Sequence, residues 1–139
     1  MISIANQRAT KCLEEANLRP TRQRLCLAEV LVGDGQDKHV TAETLFAKVK
    51  QTGYTVSLAT VYNTVHAFKK KGYLKEISIS SDKSYYDTNV TNHHHFFDEN
   101  KKELIDLDDK DVGKINIKKV LPGKKINSIE VLVKIANNN

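Results

Sequence analysis

An α+β chain is predicted here, on three observations. Four segments in the first half carry apolar residues at helical spacing, each bounded by a capping residue or a Gly or Asn stop. After Leu74, short runs alternate apolar and polar residues with the period of two that a half-buried strand requires. Ser80-Ser81-Asp82 stands between two such runs and reads as a hairpin turn.

Each element has a local cause. Residues 6–16 place Ala9, Cys12, Leu13 and Ala16 on one helical face, and Asn17 ends it. Pro20 prevents continuation, and Thr21 caps a second helix running to about Val32. After the loop at 33–37, Thr41 caps a third, with Ala42, Leu45, Phe46 and Val49 as its stripe and Gly53 at its end. Ser57 caps a fourth, with Leu58, Val61, Val65 and Phe68 expected inward and Gly72 closing it. Residues 74–79 and 83–87 then form the hairpin. Helices joined by tight turns and followed by a hairpin make a winged helix-turn-helix. Further strands are expected at 93–99, 103–108 and 128–135, while 109–120 is polar and Gly-broken, with little helical promise.

Composition narrows the function. In 139 residues there is room for one or two small domains. No run approaches the roughly 18 apolar residues a bilayer span needs, and the N-terminal stretch lacks secretory character, so a cytoplasmic protein with no membrane partner is expected. Cys12 and Cys26 form no CxxC, which excludes a structural thiolate zinc and leaves them as small core residues. Up to Glu76 there are 12 Lys+Arg against 7 Asp+Glu, and from Ile77 onward 10 against 10. The whole excess of +5 therefore lies in the helical half, as expected if that half meets a polyanion.

Two segments carry chemistry. His93-His94-His95 holds three of the five histidines; in an extended strand His93 and His95 share a face and His94 takes the other. Two imidazoles so placed suit one metal ion, with Asp87 and Asp106 as oxygen donors nearby and Phe96-Phe97 as an apolar wall. In the fourth helix, burying the apolar stripe leaves Ser57, Thr60, Tyr62, Asn63 and Thr64 on the outer surface near its N-terminus, within reach of phosphates and base edges in a major groove.

Taken together and in order, 18-LRPTRQR-24, 39-HVTAE-43, 56-VSLATVYNT-64 and 87-DTNV followed by 93-HHHFF-97 resemble the ferric uptake regulator (Fur) superfamily, and look most like its iron response regulator (Irr) branch. The resemblance continues to the strand 127-NSIEVLVK-134. It implies a homodimeric transcription regulator with a winged-helix DNA-binding domain at 1–86 and a small α/β dimerisation and sensing domain at 87–139. A small sheet with two apolar faces fits pairing with a second copy. By resemblance the regulatory site, between the two domains, is His39, Asp87, His93, His95 and Asp106. Three imidazoles and two carboxylates suit Fe²⁺ or Mn²⁺, with Zn²⁺ as a competitor.

The resemblance also places Arg19 in a minor groove, Tyr62 on the operator and Arg22 on phosphate or an acid of its own helix. Asn63 stands where iron-uptake regulators often carry Arg, and suits adenine. A second metal site of some relatives is dismantled, because Asn92 is a poor ligand and no His follows His95. That leaves His94 free, and the branch's link of this segment to haem implies haem ligation by His93, His94 and His95. The same ligand set fits a peroxide- or manganese-sensing regulator. A non-haem metalloenzyme is the remaining reading, and it leaves the basic helical half unexplained. No catalytic residues are assigned.

Overall fold

The computed structural model describes residues 2–138, which divide into two compact units meeting after Val90. The first unit includes Asp87, at the end of the strand Lys83–Asp87, and Thr88. The Thr88 amide donates to the Lys38 carbonyl (3.1 Å), and its hydroxyl accepts from the Lys38 amide (2.8 Å).

In the first unit the order is α1 (Ile4–Glu15), α2 (Arg22–Val32), β1 (His39–Val40), α3 (Ala42–Gln51), α4 (Leu58–Lys71), β2 (Lys75–Ser80) and β3 (Lys83–Asp87). The N-caps expected for α2, α3 and α4 are in place, while α1 starts earlier than expected, behind Ser3. Thr21 Oγ1 accepts from the Arg24 amide, Ser57 Oγ from the Thr60 amide, and Thr41 and Thr44 form a reciprocal capping box. Gly72 ends α4 at φ +93°, a left-handed conformation any Cβ would resist. The helices converge on one core that includes Leu13, Leu27, Leu31, Leu45, Val49, Val61, Val65 and Phe68, all fully buried.

Two expectations for α4 are corrected. Leu58, the first residue of α4, is exposed. Thr64 is fully buried rather than on the outer surface. It lies three residues after Val61 and four before Phe68, on the inward stripe, and its hydroxyl donates to the Thr60 carbonyl (2.8 Å).

The sheet of this unit is antiparallel, ordered β1-β3-β2, with the expected β2–β3 hairpin and an irregularity between Ser78 and Ser80. β1 was not expected. Its two residues pair His39 with Asp87 and Val40 with Tyr86.

The second unit holds β4 (His94–Asp98), β5 (Glu103–Leu107), a 3₁₀ turn (Asp109–Asp111) and β6 (Leu132–Ile135). Its sheet runs β5-β4-β6, with β4 antiparallel to β5 and parallel to β6. All three expected strands are present but shorter, and residues 112–131 are irregular. The register sets His95 directly opposite Asp106. Phe97, Leu104 and Leu107 are the buried apolar side chains here.

Candidate metal centre and nucleic-acid face

Each unit assembles its own set of ligating side chains. In the first, the β1–β3 pairing brings His39 Nε2 to 3.1 Å from Asp87 Oδ2. Asp87 is 0% exposed, and a buried carboxylate is costly unless it is compensated. Its other oxygen accepts from the Asn89 amide at 2.8 Å.

In the second unit the strand alternation works as expected: the His93 and His95 rings lie 4.3 Å apart, centroid to centroid. Their Nε2 atoms converge on one oxygen, Asp106 Oδ1, at 3.1 and 3.4 Å. Atoms bound to one ion at bond lengths of about 2.0–2.2 Å lie roughly 3–3.5 Å from each other, so the spacing fits shared coordination.

The tautomer of His93 strengthens the fit. Its Nδ1 lies 2.7 Å from the Thr91 carbonyl oxygen, which can only accept, so the ring proton sits on Nδ1. In the neutral ring Nε2 then carries a lone pair that faces a carboxylate oxygen. A cation between them, a proton or a metal ion, makes that contact attractive. The Thr91 carbonyl also orients the ring in the way a ligand's outer partner does.

His94 behaves differently from expectation. Its Nδ1 accepts from the Val131 amide at 2.8 Å, which puts the ring proton on Nε2, 2.9 Å from Asp109 Oδ1. Both nitrogens are engaged and the side chain is only 8% exposed. The expectation that His94 is free for haem is thereby corrected: it fastens the 3₁₀ turn and the approach to β6 onto β4. Sequence reading missed Asp109 and Thr91, whose partners are set by tertiary pairing and backbone.

The candidate nucleic-acid face lies in the first unit. Asn63 and Ser57 are exposed at the start of α4, and Thr60 is half-buried. The Ser57 and Thr60 hydroxyls are 2.8 Å apart and hydrogen-bond to each other. Arg19 is exposed in the loop before α2, and its carbonyl accepts from Arg24 Nη1 at 3.1 Å. The Arg22 guanidinium stands 5.8 Å from the centre of the Tyr54 ring, a cation–π arrangement rather than a pair with an acid on its own helix. Tyr62 donates its phenolic hydrogen to Glu43 Oε1 at 2.6 Å. That hydrogen bond holds the Glu43 carboxyl below its ordinary range and raises the Tyr62 phenol. Glu43 lies within a segment the sequence reading singled out, yet it was given no role.

Residues 15–134 match the family described as "Ferric uptake regulator family", well over half of the chain. The chain belongs to the ferric uptake regulator family. Members of this family are transcriptional regulators rather than enzymes. The peroxide-responsive repressor PerR of Staphylococcus aureus (strain Mu50) is 30% identical over 95 residues, which are 68% of this chain and 63% of that protein. The matched stretch thus spans less than two thirds of the relative. Among solved structures, the Fur of Vibrio cholerae superposes with a TM-score of 0.69 at 23% identity, covering 92% of this chain and 98% of that one. The Pseudomonas aeruginosa Fur with manganese gives 0.67 at 18% identity, covering 94% and 98%. These likenesses establish the α+β fold. No described helix is long and apolar enough to cross a membrane.

Proposed function

We propose that this protein is a cytoplasmic, metal-responsive transcriptional regulator that binds duplex operator DNA as a homodimer. The candidate ligands for Fe²⁺ or Mn²⁺ are His39, Asp87, His93, His95 and Asp106. The observation that carries this reading is the convergence of two imidazole nitrogens on Asp106, with the His93 lone pair turned toward the carboxylate. Such a donor set suits a borderline-to-hard divalent ion, with Zn²⁺ competing. An ion bound by His93, His95 and Asp106 would supply the positive charge that makes their contacts attractive.

DNA reading rests on family membership, the basic charge of the helical half and the exposed N-terminus of α4, where Tyr62 and Asn63 face the groove, Ser57 and Thr60 shape the turn and Arg19 and Arg22 lie alongside. Pairing with a second copy is supported by Ile105, Ile117, Val120, Leu121 and Ile126, all exposed on the second unit. Haem draws less support than an ion, since both ring nitrogens of His94 are engaged.

Duplexes selected from a random pool, then titrated with metal-free, Mn²⁺ and Fe²⁺ protein at one salt concentration, test the reading. A difference of tenfold or more between metal-free and loaded protein is expected. Equal affinity in all forms would contradict it. Peroxide sensing is the second reading, favoured by the likeness to a peroxide-responsive repressor. Intact-mass measurement after peroxide treatment separates the two. A gain of one oxygen atom in the Fe²⁺ form but not the Mn²⁺ form assigns peroxide sensing; no gain assigns metal sensing.

A further inference from the structure

We propose that Glu43 fixes the hydrogen-bonding polarity of Tyr62, so that the phenol reads a base amino group and is barred from serving as a phosphate anchor. The inference rests on the reading that α4 enters DNA, and goes beyond it by assigning a specificity-determining residue outside α4.

The chemistry follows from one contact. A carboxylate only accepts hydrogen bonds, so in the 2.6 Å contact the single phenolic hydrogen belongs to Glu43 Oε1. The bond is short and charge-assisted, which makes it one of the stronger hydrogen bonds a surface offers. The mutual lowering of the Glu43 carboxyl and raising of the Tyr62 phenol have the same origin. What the phenol oxygen then presents outward is lone pairs alone. Phosphate oxygens also only accept, and cannot bond to it. In a major groove the complementary donors are the amino groups of adenine and cytosine.

The surroundings point the same way. Between α3, α4 and the β2–β3 hairpin lies a cavity of about 240 Å³ lined by Glu43, Tyr62, Glu76, Asp82, Lys83 and Tyr86, among others. Glu76 is paired with Lys69, and the Asp82 carboxylate accepts from the Ser80 hydroxyl. Even counting Lys69, carboxylates outnumber ammonium groups, so a phosphate beside Tyr62 meets excess negative charge. Glu43 lies nineteen residues before Tyr62 on a different helix, so the polarity is imposed by tertiary structure.

The test uses the full-length Mn²⁺-loaded protein, a duplex selected from a random pool, the same duplex with each base pair exchanged in turn, and a shuffled duplex. Tyr62→Phe keeps the ring and removes the hydroxyl; Glu43→Gln keeps a partner but no longer fixes the direction of the bond, because an amide both accepts and donates. Tyr62→Phe is expected to weaken the selected duplex by roughly tenfold through loss of one base pair's discrimination, and the shuffled duplex less than twofold. Glu43→Gln is expected to erase discrimination at that same base pair while strengthening the shuffled duplex. Circular dichroism confirms the folded state of both variants, and ultraviolet titration should show a lower phenol pKa in Glu43→Gln. If Tyr62→Phe removes the discrimination but Glu43→Gln preserves it within twofold, the polarity proposal is overturned while Tyr62 remains a reader. If Tyr62→Phe and Tyr62→Ala change nothing on any duplex, the operator role of Tyr62 falls and takes the proposal with it.

Discussion

The two units differ in what holds them together. The first gathers sixteen buried residues into one cluster drawn from all four helices, β1, β3 and the connecting segments. The second buries three apolar side chains, Phe97, Leu104 and Leu107, in a sheet of three short strands. Around them the polar groups are unusually well fixed: His94 is clasped by Val131 and Asp109, and His93 and His95 share Asp106. In this comparison, one half carries a self-supporting apolar core, and the other a small core beside a cluster of imidazoles and carboxylates.

The largest effect is expected in the core of the first unit. Phe68→Ala removes a fully buried ring at the centre of the helical cluster, and should cost about 3–5 kcal/mol by urea denaturation followed by circular dichroism. A loss under 1 kcal/mol would show that the first unit is not held by this core. Next is the response of the second unit to metal. Mn²⁺ at a hundredfold excess over its dissociation constant should stabilise the protein by about 2.7 kcal/mol. Hydrogen-exchange protection should rise in β4 and β5, and Asp106→Asn should abolish most of the gain. An equal rise in protection throughout α1 and α2 would erase the distinction between the units.

A smaller effect tests a helix end. Ser57→Ala removes the acceptor for the Thr60 amide at the start of α4 and should cost about 1 kcal/mol in the same denaturation assay.

The smallest effect concerns the surface pair Lys69–Glu76, which joins α4 to the wing. The Glu76 carboxyl is held below its ordinary value by the hydrogen bonds from Lys69 and Ser84, and the same bond to Glu76 raises Lys69. Glu76 therefore contributes above the ordinary carboxylate value, and loses its contribution as pH falls through its lowered folded value. Lys69 contributes below the ordinary lysine value and loses it as pH rises through its raised one. Both partners are partly exposed, so the pair should add only about 0.5 kcal/mol between those limits. Glu76→Gln should show a flatter acid limb at low salt and no difference from the parent in 1 M salt.

How much was legible in the sequence follows from the range of each interaction. Caps and helical stripes are local, so Thr21, Thr41, Ser57 and Gly72 punctuate the helices where the residues alone place them. The alternation of His93 and His95 is equally local. Thr64 was misplaced because a buried face was drawn from apolar residues only, and a threonine three residues from Val61 shares that face. β1 was invisible because two residues carry no period. The His39–Asp87 pair was expected by family resemblance, but its cause, a strand pairing between residues far apart in the chain, has no local trace. The Glu43–Tyr62 bond and the Asp109 clasp on His94 arise from residues far apart in the chain, and neither leaves a spacing to read.

The central claim is that the imidazoles of His93 and His95 and the carboxylate of Asp106 serve one ion. Calorimetric titration of the metal-free protein with Mn²⁺ tests it most directly, run in parallel on His93→Ala and Asp106→Asn. One ion per chain is expected, with affinity lowered at least tenfold by either substitution. Binding of unchanged strength in either variant would contradict the account.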